Sequence, residues 1–513
     1  MGAYTKSERA SRVHVVVVGA GPGGTTAAAL LARRGFRVTV VEKEPCIGGR
    51  NAELRLGDYR FDVGPTFLMM KFLLDGIFTE TGRRSEDYLS FVRLDPMYEL
   101  DFGDVSLFPS SRPEAMAAEI ERVFPGQSAG FARFMERERV RFLRMYPCLQ
   151  KDYCSPTAFL APIFLRALPR LSLGKSLYDV LSGYFEPERL RLSFTFQSKY
   201  LGMSPWSCPG AFAIISFIEY AYGVYHVQGG LCKIAEALAK VAEEEGADIR
   251  LNAPVKKLLL RGREVRGVEL EDGSQLAADA VVINADFAHA MTHLVEPGVL
   301  KKYSPAKLAA REYSCSTFML YLGLDKSYDL AHHRIVFARD YHRNLTDIAV
   351  NKTLSDDFSF YVRNATVTDP GLAPEGHAAI YVLVPVPNNT SRIDWAAETP
   401  RMRERVLDAL AARTPMKDIR DHIRQEAIIA PNDWEEQRGV FLGATFNLAH
   451  RLSQMLYLRP HNRFEELDGC YLVGGGTHPG SGLPTIYESG RISANLLSRA
   501  FGVPFEPPPP LPV

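Results

Sequence analysis

Three stretches of the chain share one hydrophobic pattern. Residues 13–18 (VHVVVV) form a β-branched run without alternation, as expected of a strand buried on both faces. The turn Gly19-Ala20-Gly21-Pro22-Gly23-Gly24 closes it, residues 25–34 (TTAAALLARR) gather helix formers up to Gly35, and residues 36–41 (FRVTVV) give a second strand. The pattern returns at 232–284. Apolar residues at 234, 235, 238, 241 and 242 keep helical spacing up to Gly246, and short strands are predicted at 248–251, 254–260, 265–270 and 280–284. It returns again at 471–473, a strand followed by a glycine turn at 474–476 and a helix predicted from 483–485 to 498.

Residues 85–225 and 300–430 lack this order and are mixed and aromatic. Within them, 212–225 (FAIISFIEYAYGVY) carries a single acid, Glu219, and reads as a core helix or as the wall of an apolar tunnel. Residues 155–176 (SPTAFLAPIFLRALPRLSLGKS) carry only Arg166, Arg170 and Lys175 as charges. Pro162 and Pro169 would break this stretch into short pieces, either buried as a helix pair or dipping into a bilayer surface beside anionic headgroups.

The pattern predicts an α/β fold: a Rossmann-like dinucleotide domain built from 10–85, 226–300 and 436–502, with a mixed α+β substrate domain (86–225 and 301–435) inserted into it. The tail, 503–513, is proline-rich and reads as an extended, disordered end. A length of 513 residues fits this division. Lysine plus arginine equals aspartate plus glutamate at 60 each, which removes the basic face a nucleic-acid partner needs. The seven cysteines are scattered without a C-x-x-C, so a reduced, cytoplasmic protein without structural zinc is expected. The first residues, MGAYTKSERASRVH, lack the apolar run of a signal peptide, and Lys6 breaks the myristoylation pattern. The uncharged run 200–218 is interrupted by Ser, Pro and Gly, so no transmembrane helix is expected.

The glycine turn carries a specific chemistry. Gly19 permits the tight turn, Gly21 lets backbone approach a pyrophosphate, Gly24 allows close helix–strand packing, and Glu42, 18 residues past Gly24, can accept from a ribose. A nicotinamide site would end there. This chain continues through Lys43, Gly48-Gly49-Arg50 and Phe61-Asp62-Val63-Gly64-Pro65-Thr66, and so resembles the FAD-binding start of the amine-oxidase and carotenoid-desaturase flavoproteins. That resemblance implies that Lys43, Gly49, Arg50, Pro65 and Thr66 run along the diphosphate and flavin, and that the Val255 backbone lies against the adenine. It also makes Asp286 either a cofactor contact or a helix N-cap.

The C-terminal third narrows the resemblance. DPGLAPEG (369–376), YVLVPVP (381–387), LRPHNR (458–463) and the run through GGGTHPGSGLP (474–484) are similar to the bacterial-type phytoene desaturase family over about 13–500. The resemblance implies one non-covalent FAD, a linear polyisoprenoid substrate and peripheral membrane attachment. Gly476, Thr477, Gly482, Leu483 and Pro484 would lie against the flavin, with the following helix N-terminus facing its pyrimidine. FQSKYLG (196–202) resembles the region found in desaturases of C30 chains.

Desaturation also leaves a proton to place. Residues 153–178, where some relatives are thought to keep an acid, hold no Asp or Glu, which leaves His226 and Glu219 as candidates. A carotenoid isomerase, terminal-methyl oxidase or saturase would share the scaffold. So would an amine oxidase, whose C-terminal motif Tyr487-Glu488-Ser489-Gly490 resembles, and a non-catalytic lipid binder is a further reading. No cysteine follows 470 to link a flavin. His289 and His293 are spaced as in a zincin but Ala290 stands where the glutamate belongs, so no metal site is expected.

Overall fold

The computed structural model describes residues 8–511; the opening residues 1–7, where Lys6 falls, lie outside the described ones. Five parallel strands form the nucleotide sheet in the order Cys470–Leu472, Ala280–Ile283, His14–Val18, Arg37–Val41, Asp248–Arg250. The unbroken apolar runs therefore become strands covered on both faces, each within a residue or two of its predicted span. The first helix, Pro22–Arg33, is buried along almost its whole length, packed by Cys232–Glu244 and by Leu483–Ala500. Close packing there depends on Gly490, where a Cβ would stand 2.9 Å from the Gly23 carbonyl oxygen and 2.9 Å from Thr26 Cβ. Arg491, one residue on, is buried between Glu80 and Glu488.

The remaining segments build a seven-stranded sheet in the order Ile423–Ile429, Ser316–Leu324, Ala378–Val386, Phe360–Asn364, His333–Val336, Glu99–Asp101, Ser106–Leu107. Its pairs are antiparallel except for His333–Val336 beside Glu99–Asp101. Helices Ser128–Leu149 and Ala213–Tyr222 pack against each other in an aromatic core beside this sheet.

Two expectations are corrected and one open alternative is decided. The tail has no helix or strand but is laid on the body: the Arg34 guanidinium sits 4.7 Å over the Phe505 ring, and Leu511 packs on the aromatic core. Segment 155–176 is broken by its prolines into Pro156–Leu160, Pro162–Ala167 and Leu168–Arg170, yet Phe164 does not point outward; it is buried against Tyr153 and Phe159. The exposed members are Leu160 (72 %), Leu165 (51 %), Leu168 (40 %) and Leu173 (60 %). Leu452 and Leu458 are also exposed, and they flank Tyr457, which packs on Phe159, so the two segments form one leucine-bearing face. Finally, no residue of Ala213–Tyr222 lines the large cavity described below; this helix is core. No helix of the described residues is long and apolar enough to cross a membrane.

Candidate active site

The glycine turn opens onto a helix N-terminus that no side chain caps. Pro22, Gly23 and Gly24 hold the first helical positions, so the free N–H groups of this end point out of the turn, as an anion site requires. Gly19 has φ +95°, and a Cβ at Gly24 would stand 2.1 Å from the Gly19 oxygen. Gly21 differs. A Cβ there meets Asn284 Nδ2 at 2.9 Å and otherwise only the Gly48 oxygen at 3.8 Å, and a Cβ on Gly49 meets only Gly21, at 3.5 Å. The turn is thus tight on the sheet side and open on the other, where a backbone-bound anion could approach.

Asn284 is the residue that sequence reasoning passed over. Its Nδ2 donates to the Gly19 oxygen at 3.1 Å, and its side chain closes the sheet side of Gly19, Gly21, Gly23 and Gly24 alike. Glu42 lies buried under the turn, accepting from the Ala20 N–H at 2.7 Å and the Glu44 N–H at 3.0 Å. Each oxygen keeps a lone pair for a ribose hydroxyl. Lys43 is exposed and donates to the Gln437 oxygen at 3.3 Å. Val255 begins the strand Val255–Arg261; two residues before it, the Ala253 N–H donates to the Glu42 carbonyl at 2.8 Å.

Asp286 caps the helix Phe287–His293, accepting from the His289 N–H at 3.2 Å. It also faces Arg50, whose guanidinium donates to the Thr445 oxygen at 2.8 Å. With the Asn447 amide oriented to satisfy both neighbours, its nitrogen donates to Asp286 at 2.7 Å and its oxygen accepts from Arg50 at 3.1 Å. Burial raises the Asp286 carboxyl pKa, with Arg50 opposing. The Gly64–Thr66 segment is pinned by the seven-stranded sheet: Tyr321 donates to the Val63 oxygen at 2.6 Å, Tyr381 to the Gly64 oxygen at 2.9 Å, and the Thr66 hydroxyl meets the Tyr361 hydroxyl at 2.8 Å.

The loop at 474–484 is held from behind. Arg459 is buried and donates to four carbonyls, those of Thr477, Gln454, Leu448 and Gly475, and burial lowers its pKa to about 9. Thr477 spends its hydroxyl on the Pro460 oxygen at 2.6 Å, and a Cβ on Gly476 would stand 2.4 Å from Phe287 Cβ. These two residues shape the loop from its inner side. Gly482 (φ +115°), Leu483 and Pro484 are the ones that reach the cavity; a Cβ on Gly482 would meet only Thr485 Oγ1, at 3.5 Å.

A cavity of about 640 Å³ opens beside the Gly64–Thr66 segment and the Gly482–Pro484 turn, while the glycine turn at 19–24, Glu42, Val255 and Asp286 lie outside its lining. Arg50, Gly64–Thr66 and Gly482–Pro484 form one end. Its walls continue through Phe67, Tyr98, Phe196, Tyr200, Tyr361 and Tyr381, and its far rim includes Ser207, Ala349 and Arg451, all exposed.

The two proton-acceptor candidates lie behind this wall. Glu219 is fully buried. Its Oε2 accepts from the Tyr98 hydroxyl at 2.9 Å and from Gln197 Nε2 at 2.7 Å, while Oε1 accepts no hydrogen bond. Burial pushes its pKa up to about 7, against the pull of Gln197, Tyr98 and Tyr200. His226 is also buried. Its Nε2 meets Asp369 at 3.0 Å, and its Nδ1 faces Arg363 at 3.4 Å; Asp369 in turn accepts from the Gly229 N–H at 2.6 Å, and Arg363 pairs with Asp62 at 2.9 Å. Neither Glu219 nor His226 lines the cavity; Glu219 reaches it through Tyr98, whose hydroxyl it accepts from.

A dinucleotide-type glycine turn together with an apolar, aromatic cavity fits an oxidoreductase that binds a nucleotide cofactor and an apolar molecule. Residues 23–498 match the family of flavin containing amine oxidoreductases. A 4,4'-diapophytoene desaturase (4,4'-diapolycopene-forming) of Methylomonas sp is 56 % identical over 97 % of either chain. An all-trans-zeta-carotene desaturase of Myxococcus xanthus is 40 % identical, covering 97 % of this chain and 95 % of its own. Among solved structures, an oxidoreductase from Methanosarcina mazei superposes with a TM-score of 0.60 at 19 % identity, over 93 % of this chain and 99 % of its own, and shares the fold. The chain belongs to the flavin containing amine oxidoreductases and, within them, to the carotenoid desaturases, FAD-dependent enzymes that desaturate carotenoid precursors.

Proposed function

We propose that this chain desaturates a C30 precursor of the diapophytoene type, drawn from a membrane, with Glu219 as the proton acceptor. The observation that carries the reading is the cavity that runs from Arg50, Gly64–Thr66 and Gly482–Pro484 along an apolar, aromatic wall, together with 56 % identity to a desaturase named for 4,4'-diapophytoene. Gly21, Gly24 and the first-helix N-terminus would hold the diphosphate, Glu42 the ribose, Val255 the adenine, and Arg50, Pro65, Thr66 and Gly482–Pro484 the flavin. Bound FAD supplies the hydride acceptor. The chain must bind a hydrocarbon by burial alone, keep water out and take up the second hydrogen as a proton. Tyr98 and Tyr200 line the wall with Glu219 behind them. A carboxylate with pKa about 7 is matched to accept a proton at neutral pH. His226, clamped between Asp369 and Arg363 away from the cavity, has a positioning role. Turnover of C30 and C40 substrates side by side tests the substrate assignment.

The leucine face supports membrane docking because it continues into the cavity rim: Arg451 lines the cavity and Leu452 is its exposed neighbour. A substrate too apolar for water would pass from bilayer to cavity across this face. In liposome flotation the protein should float with anionic vesicles and release in high salt. Leu165→Ser with Leu168→Ser should weaken partitioning about 100-fold, from about 1.5 kcal/mol per leucine. Phe164→Ser should instead unsettle folding, since that ring is buried. A chain that ignores vesicles yet desaturates substrate presented in them rules the docking out.

A further inference from the structure

A hydrocarbon gives the charged groups of the cavity nothing to bind, and several of them, Lys199 foremost, are left unused by the reaction. Lys199 lines the cavity from the turn Phe196–Leu201, with its Nζ 4.8 Å from the centre of the Tyr341 ring and 5.9 Å from that of Phe337. No carboxylate among the described residues pairs with it, and burial lowers its pKa to about 7. Lys352 lines the same cavity, and both lysines act on the Cys315 thiol beside them. The acid of this region, Glu312, is already paired with Arg451. An ammonium held in an apolar wall without a counter-ion is costly, and an anion arriving there offsets that cost.

We propose that the cavity is also a receptor for a long-chain amphiphile ending in a carboxylate, the chain lying along the aromatic wall and the carboxylate pairing with Lys199. Such a ligand would exclude the hydrocarbon substrate. A lipid phosphate at the cavity rim offers the same negative charge from another source, and the test separates the two.

The pairing is pH-dependent. The carboxylate binds the ammonium, so the preference for an acid is present below pH 7 and is lost as pH rises above the lysine's own pKa. Other groups face the same space. Cys315 is raised to about 11 and Tyr341 is raised further, so both stay neutral; His333, deeper in, is held neutral by burial; Arg311 and Arg451 also line the cavity. Burial lowers Lys352, and Glu219 behind Tyr98 titrates near the same pH as Lys199, so a lysine-to-arginine exchange is needed to assign the titration.

Calorimetry on the holoenzyme, without turnover, compares hexadecanoate with hexadecanol. At pH 6 the acid should bind about 10- to 100-fold tighter, the range for a charged hydrogen bond. Lys199→Met, with flavin content and melting temperature checked, should bring the two ligands to parity. Lys199→Arg should keep the preference and carry it to higher pH. Equal affinity for acid and alcohol in the wild type, or a preference that survives Lys199→Met, overturns the proposal. So does a Lys199→Met variant that loses phosphatidylglycerol vesicles but keeps the acid, which would assign the lysine to lipid phosphate. Desaturase activity is not read in any arm, so failure here leaves the reading of the reaction standing.

Discussion

Gly21→Val should emerge from purification folded but almost free of flavin. Gly21 has extended backbone (φ −73°, ψ 174°), a conformation valine adopts readily, so the chain itself tolerates the change. Space is the difficulty. On the sheet side a Cβ already presses Asn284 Nδ2 at 2.9 Å, so the valine methyls must turn to the open side, where the diphosphate is proposed to lie. Overlap of one or two methyl groups costs about 1–3 kcal/mol even where neighbours can yield, and the loss of helix-terminal N–H contacts adds to it. Flavin content should fall at least about tenfold. The melting temperature should drop toward that of wild-type protein stripped of flavin, because the stabilisation that bound cofactor adds is gone. Normal flavin occupancy in this variant would contradict the placement of the diphosphate.

Glu219→Gln should lower kcat by about 10²- to 10⁴-fold with flavin content unchanged, the range for losing a positioned base. The pH dependence distinguishes this from a packing defect. A carboxyl must be ionised to accept a proton, so wild-type turnover should rise as pH increases through about 7, the value to which burial carries Glu219. The glutamine variant should lose that limb. Stability should move the opposite way. An acid whose folded pKa lies above its unfolded value destabilises the fold as pH rises from the unfolded pKa to the folded one, because the buried carboxylate must then be charged. At pH 8 the glutamine variant should therefore melt higher than wild type, and at pH 4 the difference should vanish. A variant that keeps wild-type turnover and its pH limb would remove Glu219 from the mechanism.

The nucleotide half of the fold was legible because its signals are local. β-branched runs, glycine turns and helical spacing placed Arg37–Val41 and Cys232–Glu244 within a residue of their ends. The seven-stranded sheet was not legible, since Glu99–Asp101 pairs with His333–Val336 across more than two hundred residues and no short window carries that register. The same division runs through the site. Gly21, Glu42 and Gly482 announce themselves by motif. Asn284 does not, because an asparagine at a strand end has no signature; its meaning comes from four glycines converging on its side chain. Glu219 stood out as the lone acid in an apolar run, but Tyr98 and Gln197, which hold it, come from separate segments. Of the two readings of 212–225, core helix or tunnel wall, packing decides for core, while Phe196–Leu201, valued in the sequence only for its resemblance, supplies Phe196, Lys199 and Tyr200 to the cavity. Phe164 and Leu165 were alike on paper; only packing against Tyr153 sends one inward and leaves the other in solvent.

The C30 chain is the proposed substrate of this FAD enzyme and its apolar cavity. The most direct test supplies purified holoenzyme with anionic vesicles containing diapophytoene or phytoene at equal concentration and follows absorption as conjugation lengthens. The account predicts stepwise bands moving to longer wavelength from diapophytoene, at a kcat/KM roughly tenfold or more above phytoene, the discrimination a fitted apolar cavity gives against a longer chain. Phytoene consumed as fast or faster, or an amine oxidised while diapophytoene stays colourless, would contradict it.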